Sequence, residues 1–194
     1  MGKIVISENI SLDGVVEDPT GEDGFSRGGW FGEYLGTDRE AWATVEFAEA
    51  LSADAILLGR RSDAYFGSRW NTASGEWADR LRDLPKYVVS STLVDPVWTN
   101  STILRGDAVT EVSKLKEELD GEIVVYASRQ LVSTLMEHDL VDEVRLTVFP
   151  VVLGAGKRLF DEVGDKKSLR RLKAETIGDN LGYVSYEVVR GRQD

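Results

Sequence analysis

The sequence predicts an α/β protein with a mostly parallel mixed central sheet, helices on both faces and an antiparallel C-terminal edge. Two observations support this class. Short apolar runs alternate with amphipathic, helix-like segments from residue 55 to residue 148, as is typical of parallel strands joined by helical crossovers. The last strand-like segments, residues 144–148 and 183–189, have no clear helix between them before a patch at residues 166–171, and they predict the antiparallel edge.

Four short apolar runs predict strands, because they are rich in β-branched residues and are bounded by turn-forming residues. They cover residues 3–7, 55–58, 86–90 and 123–126. A long irregular loop is expected at residues 17–32, where charged residues and glycines replace any apolar pattern. Loops of this length inside a compact domain are uncommon and are often functional.

Three helices are predicted from capping residues that precede apolar residues spaced three and four apart. Asp38 or Thr37 begins the first helix, which reaches about residue 50, and Asp107 and Ser128 begin the other two. The first helix carries its apolar residues on one face, namely Trp42, Val45, Ala48 and Leu51. We expect this face to pack against the sheet.

The composition excludes whole classes of function. A net charge of -11 repels phosphate backbones and anionic lipids, so neither nucleic acid nor a membrane is an expected partner. The chain has no cysteine, and His138 alone cannot form a multi-histidine site, so no metal is predicted. Without a long apolar run, and with a strand instead of a signal peptide at its start, the chain is expected to form one cytoplasmic domain over residues 1–194.

Residues that can bind anions follow three of the predicted strands. These residues are Gly59, Arg60, Arg61 and Ser62, then Ser90, Ser91 and Thr92, and finally Ala127, Ser128, Arg129 and Gln130. Each set offers helix N-terminal N–H groups, hydroxyls or guanidinium groups to a phosphate, although each alone also fits an ordinary helix cap or turn. Because the carboxyl ends of parallel strands meet at one edge, the three sets together predict a site for the several phosphates of a dinucleotide.

A series of motifs appears in a recognisable order along residues 3–190. The motifs are Ser11-Leu12-Asp13-Gly14, Gly28-Gly29-Trp30, residues 58–62 with Trp70 downstream, and residues 85–93, 131–143 and 150–160. The series resembles the dihydrofolate reductase family, in the branch similar to the reductase domain of the bifunctional riboflavin-biosynthesis deaminase-reductase. The resemblance implies a dihydrofolate-reductase-like three-layer fold, an NADPH-dependent oxidoreductase acting on a small pterin- or pyrimidinone-like heterocycle, and a homodimer.

The resemblance also implies roles for individual residues. Ser7 and Glu8 would face the nicotinamide, and Glu8 would line the substrate pocket together with Trp30. Asp13, the candidate catalytic residue, and Gly14 would lie in a loop over the cofactor. The phosphates would be held by Gly59, Arg60, Arg61 and Ser62 at the pyrophosphate, by Ser90 and Ser91 at the 2′-phosphate that selects NADPH, and by the segment Ala127, Ser128, Arg129, Gln130 and Leu131 beside the pyrophosphate.

Alternatives exist for several of these roles. Asp13 could instead hold its own turn, and Trp30 could pack in the core. The family usually has glycines at residues 127–129, so Arg129 would replace a close backbone approach with a side-chain contact. By region, the proton donor would be Asp38, Glu40 or Glu46. For the whole chain, the alternatives are a ligand-binding protein that has lost the reaction and an enzyme that uses a flavin or another cofactor at the same phosphate sites.

Overall fold

One eight-stranded sheet organises the computed structural model, which describes residues 1–161 and 164–190. In chain order the strands are β1 (Lys3–Ser11), β2 (Ala55–Gly59), β3 (Lys86–Val89), β4 (Ser101–Leu104), β5 (Glu122–Tyr126), β6 (Glu143–Phe149), β7 (Ser168–Ile177) and β8 (Leu181–Val189). Their order across the sheet is β4-β3-β2-β5-β1-β6-β8-β7. The first six in this order are parallel to one another. The strand β8 pairs antiparallel with β6, and β7 pairs antiparallel with β8. The predicted mixed sheet with an antiparallel C-terminal edge is confirmed.

Helices cover both faces of the sheet, as predicted. They are α1 (Trp30–Leu35), α2 (Arg39–Ser52), α3 (Arg60–Trp70), α4 (Glu76–Asp83), α5 (Ala108–Glu118) and α6 (Arg129–Glu137), with a 3-10 turn at Gly36–Asp38. The side chains of β1 alternate between two apolar clusters: Ile4 and Ile6 pack with residues of α5 and α6, whereas Val5 packs with residues of α2 and α4. Within the residues described, no helix is long and apolar enough to cross a membrane.

The helix α2 forms where the sequence predicts it, but only part of the expected face is buried. Ala48 and Leu51 are exposed, whereas Ala50 is fully buried. Glu46 and Glu49 line a cleft between the helix and the sheet. The expected face is confirmed at Trp42 and Val45, which pack against an apolar cluster. It is wrong at Ala48 and Leu51, because apolar periodicity assumes that carboxylates point to solvent, and this assumption fails where polar groups line a cleft.

The patch at residues 166–171 enters the strand β7 and forms no helix. This strand pairs with β8 alone, and nine of its ten residues are exposed. An edge strand is held by ladder hydrogen bonds on one side and needs no alternation of apolar and polar residues. The sequence pattern therefore gave no signal for β7.

The strand β1 has different neighbours along its two edges, and this difference positions the site. Its pairing with β5 ends at Ser7, opposite Tyr126. Its pairing with β6 continues to Ser11, opposite Phe149. From Glu8 onward, the edge of β1 that faces β5 consequently has no strand beside it. We call this stretch, residues 8–11, the open edge of β1.

Candidate active site

The three predicted phosphate-binding segments lie together at one edge of the sheet. Their strands β3, β2 and β5 are adjacent and parallel, so their carboxyl ends point the same way. Hydrogen bonds join the segments: the Gly59 N–H donates to Ser128 Oγ at 2.9 Å, and Ser128 Oγ lies 2.8 Å from Ser62 Oγ. The Arg60 guanidinium donates to Thr92 Oγ1 at 3.0 Å. We call residues 59–62, 90–92 and 127–131 the strand-end rim.

The first turn of α3 keeps its N–H groups available. Gly59 precedes the helix in an extended conformation, and no described side chain caps the helix. Such N–H groups carry partial positive charge and can bind an anion. Arg60 and Arg61 are exposed beside them, and Ser62 is buried beneath. This part of the strand-end rim has the chemistry of a phosphate site.

The second segment is a hydroxyl-rich turn. Ser90 Oγ accepts the N–H groups of Thr92 at 3.3 Å and Leu93 at 3.0 Å, so this hydroxyl stabilises the turn itself. Ser91 and Thr92 are exposed at its tip. Ser91 and Thr92 are therefore the groups of this segment that can reach a ligand, together with the guanidinium of Arg60 from the first segment.

The third segment has the backbone geometry that glycines would adopt freely. Ala127 and Ser128 take φ values of 49° and 63°, in the left-handed region. This conformation costs about 1–2 kcal/mol for each residue with a Cβ. Ser128 precedes α6 as predicted, but its hydroxyl makes no cap hydrogen bond to the helix and contacts Gly59 instead.

The remaining residues of this segment differ in availability. The Arg129 guanidinium lies 3.1 Å from the Asp161 carboxylate and its side chain is 17% exposed, so a phosphate would have to share this cation. Gln130 is exposed, whereas Leu131 packs in the apolar core under α6. Backbone N–H groups are thus the main anion-binding groups of this segment.

Two polar residues, Glu8 and Asn9, begin the open edge of β1. Burial raises the pKa of the Glu8 carboxyl to about 8. The side chain of Asn9 accepts a hydrogen bond of 2.9 Å from Trp42 Nε1, which ties the first turn of α2 to β1. Asn9 was not among the predicted site residues, because its partner is distant in sequence and no motif marks it.

A cleft of about 380 Å³ lies between α2 and the strands β6, β8 and β7. Ser7, which directly precedes the open edge of β1, is one of the residues that line the cleft. Burial and the neighbouring charges of Glu49 and Glu8 raise the pKa of the Glu46 carboxyl well above its usual range. The lining residues are Ser7, Val45, Glu46, Ala48, Glu49, Ser52, Glu143, Arg145, Lys173, Glu175, Tyr183 and Ser185. We call this pocket the α2 cleft.

Arg145 is the main cation of the α2 cleft, and it is fully engaged. Its guanidinium contacts Glu143 and Glu122 at 2.7 Å each and Glu49 at 3.1 Å. Burial opposes its charge, but these carboxylates raise the pKa of Arg145 above its usual range. Sequence reasoning missed Arg145 and Glu49, because their partners come from separate elements.

Asp13 occupies a tight turn. Its carboxylate accepts hydrogen bonds from the N–H groups of Leu153 at 3.0 Å and Gly154 at 2.8 Å and from Ser11 Oγ at 2.8 Å. Burial opposes ionisation, but these bonds lower the pKa of Asp13 to about 2. Gly14 follows with φ 81°. Both oxygens of this carboxylate thus hold the turn together, so the geometry favours the structural alternative for Asp13.

Trp30 is 1% exposed and packs edge-on against Phe149, which also favours its structural alternative. Of the three regional candidates for the proton donor, Asp38 accepts the N–H groups of Asp179 and Asn180, and these bonds lower its pKa. Glu40 is exposed on α2. Of these three candidates, Glu46 is the one that lines the α2 cleft.

The chain is similar to proteins of known family and fold. Residues 2–183 match the RibD C-terminal domain family. The chain is 28% identical to the uncharacterized protein YyaP of Bacillus subtilis strain 168, over 95% of this chain and 94% of that protein. It also superimposes on a protein assigned to riboflavin biosynthesis from Shewanella sp. PV-4, with a TM-score of 0.75, 21% identity and coverage of 97% and 99% of the two chains.

Two further structures share the fold at lower identity. One is the diaminohydroxyphosphoribosylaminopyrimidine deaminase/5-amino-6-(5-phosphoribosylamino)uracil reductase of Thermotoga maritima, with a TM-score of 0.62, 14% identity and coverage of 97% of this chain and 57% of that one. The other is the dihydrofolate reductase of Enterococcus faecalis complexed with NADP(H), with a TM-score of 0.57, 13% identity and 96% coverage of both chains. The chain belongs to the RibD C-terminal domain family and has the dihydrofolate-reductase-like fold.

Proposed function

We propose that the chain is an NADPH-dependent reductase that transfers a hydride to a small pterin- or pyrimidinone-like heterocycle. The observation that carries the proposal is the strand-end rim, where hydrogen bonds join three anion-binding segments next to the open edge of β1. Neighbouring strands lie about 5 Å apart, so the rim from β3 to β1 extends over roughly 15 Å. One phosphate would need only one segment, whereas a dinucleotide uses all three.

Different residues of the strand-end rim suit different phosphates of the cofactor. The backbone N–H groups at the starts of α3 and α6 suit the pyrophosphate, because helix N-termini carry partial positive charge. Arg60, Ser91 and Thr92 suit a 2′-phosphate, which favours NADPH over NADH. When bound, the reduced nicotinamide supplies the hydride, and the protein supplies orientation and a proton.

Glu8 is the residue that we assign to proton supply. It follows Ser7 at the point where β1 separates from β5, beside the proposed nicotinamide position. Because burial raises the pKa of its carboxyl to about 8, Glu8 is mostly protonated at pH 7 and can donate its proton. Turnover should therefore fall as the pH rises through 8, and Glu8→Gln should abolish turnover while leaving NADPH binding intact.

The test of cofactor binding is a titration with NADPH, followed by energy transfer from the five tryptophans to the nicotinamide. We expect micromolar binding and a preference over NADH. Arg60→Ala and Arg61→Ala should each weaken binding roughly 10- to 100-fold, since a charge-assisted hydrogen bond is lost. Arg171→Ala, an exposed arginine on the distant edge strand β7, is the matched control and should bind normally. No binding at millimolar NADPH would overturn the proposal.

A binding protein without turnover is the second candidate function. The pairing of Arg129 with Asp161 favours it, because this cation is shared with a carboxylate. A screen of dihydrofolate, pterins and pyrimidinones separates the two functions. If NADPH binds but no compound in the screen is reduced, the binding protein gains support.

A further inference from the structure

A turn that is largely exposed follows β3 at the strand-end rim. It comprises residues 90–94, and we call it the 90–94 turn. The Ser90 N–H donates to the backbone oxygen of Leu104 at 3.1 Å, so the turn leaves β3 beside the end of β4. Three of its five residues are exposed. An exposed turn of this kind opens readily unless groups outside it hold its backbone.

Arg105, the first residue after β4, holds the 90–94 turn from outside. Its guanidinium donates hydrogen bonds to the backbone oxygens of Leu93 at 2.8 Å and Val94 at 3.3 Å. The strand β4 lies next to β3 and parallel to it, so Arg105 lies at the same edge of the sheet as the strand-end rim. A guanidinium presents its donors in a rigid plane, so two bonds from this one group fix the direction of the turn backbone.

Two other contacts act on the same turn. The Arg60 guanidinium donates to Thr92 Oγ1 at 3.0 Å, and Ser90 Oγ accepts the Leu93 N–H at 3.0 Å. Arg60 approaches the turn from the start of α3, whereas Arg105 approaches it from the end of β4. Thr92 is therefore held beside the Arg60 cation before any ligand binds.

A turn that is already held in its binding conformation binds a ligand more tightly. The apparent dissociation constant is the intrinsic constant divided by the fraction of molecules in the competent conformation, so a mobile turn weakens binding. Under the proposed function, the 90–94 turn meets the 2′-phosphate, a group that NADPH has and NADH lacks. Loosening this turn should therefore weaken NADPH binding and leave NADH binding unchanged.

We propose that Arg105 is a positioning residue that sets the preference of this chain for a 2′-phosphorylated dinucleotide, by holding the 90–94 turn in the conformation that binds the phosphate. The inference rests on the proposed reductase function and adds a residue to its cofactor site. Arg60 attracts the phosphate through its charge, whereas Arg105 acts through the turn. The two arginines should consequently respond differently to salt.

The test uses two probes that differ only in the 2′-phosphate: adenosine 2′,5′-bisphosphate and adenosine 5′-monophosphate. Isothermal titration calorimetry gives their dissociation constants for the full chain. We expect the natural chain to bind the bisphosphate more tightly. Arg105→Ala should weaken bisphosphate binding roughly 3- to 10-fold, since two exposed hydrogen bonds are lost, and should leave monophosphate binding unchanged.

Two further measurements separate positioning from direct contact with the phosphate. In about 0.5 M salt the Debye length falls to about 4 Å, so the effect of Arg60→Ala should shrink while the effect of Arg105→Ala persists. Without ligand, amide hydrogen exchange at residues 92–94 should be faster in Arg105→Ala than in the natural chain. Arg171→Ala, on the distant edge strand β7, is the matched control and should change none of these quantities. Thermal melting verifies that each variant is folded.

Three results would overturn the inference. In Arg105→Ala, both probes could be weakened equally, neither could be weakened, or the loss could disappear in salt as it does for Arg60→Ala. A natural chain that binds both probes equally would refute the 2′-phosphate preference together with the role of Arg105.

The substrate screen distinguishes failure of this inference from failure of the proposed function. If Arg105→Ala lowers the preference for the bisphosphate but the natural chain reduces no compound in the screen, the reductase function fails and the role of Arg105 stands. If the natural chain reduces a compound with NADPH, and Arg105→Ala keeps the same preference for NADPH over NADH, the role of Arg105 fails alone.

Discussion

Replacing Ala127 by glycine should stabilise the protein, although glycine usually destabilises folded chains. Ala127 has φ 49° at the start of the third segment of the strand-end rim. A residue with a Cβ pays about 1–2 kcal/mol for this left-handed conformation. Glycine avoids that cost but loses about 0.5–1 kcal/mol through the greater freedom of its unfolded chain.

The difference between these two terms gives the expected magnitude. Ala127→Gly should raise the free energy of unfolding by roughly 0.5–1 kcal/mol. For a chain of this size, each kcal/mol moves the melting temperature by about 2–4 °C, so a rise of about 1–4 °C is expected. Calorimetry or circular dichroism resolves a change of this size.

A matched substitution in a helix supplies the control. Ala64 is exposed within α3, so Ala64→Gly carries the usual helix cost of about 1 kcal/mol and should lower the melting temperature. The two alanine-to-glycine changes should therefore have opposite signs. If Ala127→Gly lowers the melting temperature as much as Ala64→Gly does, the argument from the left-handed backbone is refuted.

Three other predictions concern stability. Burial lowers the pKa of Lys86 from 10.5 to about 8, so the unfolded chain holds this proton more tightly than the folded chain. Because stability rises with pH wherever the unfolded chain binds more protons, the free energy of unfolding should rise by roughly 1–3 kcal/mol between pH 8 and 10.5. Urea unfolding should show this rise in the natural chain and not in Lys86→Met. If the free energy of unfolding rises equally with pH in both proteins, the prediction is wrong. Asp13→Ala should cost about 1–2 kcal/mol, because two N–H groups lose their acceptor, with little change in NADPH affinity. Lost NADPH affinity at unchanged stability would restore a direct role for Asp13. Gly178→Ala should cost more than about 1 kcal/mol in equilibrium unfolding, because φ is 59° and the new Cβ would lie 2.2 Å from an oxygen of Asp38; an unchanged stability would show that this turn can rearrange.

The buried strands and the strand-end rim could be predicted because their signals are local. Apolar β-branched runs mark β2, β3 and β5, and the residues after each run carry the hydroxyls and guanidinium groups. The rule that parallel strands end at one edge then brings these residues together. The hydrogen bond from Gly59 to Ser128, which are 69 positions apart, supports this step.

The α2 cleft could not be predicted, because it depends on pairings between distant residues. Arg145 joins a glutamate of α2 to glutamates of β5 and β6, and no short motif encodes that arrangement. Glu49 was also hidden by the assumption that charged helix residues face water, whereas Glu46 was one of the three regional candidates for the proton donor. The edge strand β7 escaped for a related reason, since its residues are exposed on both faces.

The open edge of β1 has a stereochemical consequence. Under the proposed function, a flat ring that lies against this stretch, with one end in the α2 cleft, would be covered by α2 on one face. The nicotinamide, at the gap between β1 and β5, would then approach only the other face. Under the proposed function, reduction at a prochiral carbon should thus produce one enantiomer, and deuterium from labelled cofactor should appear at a single position of the product.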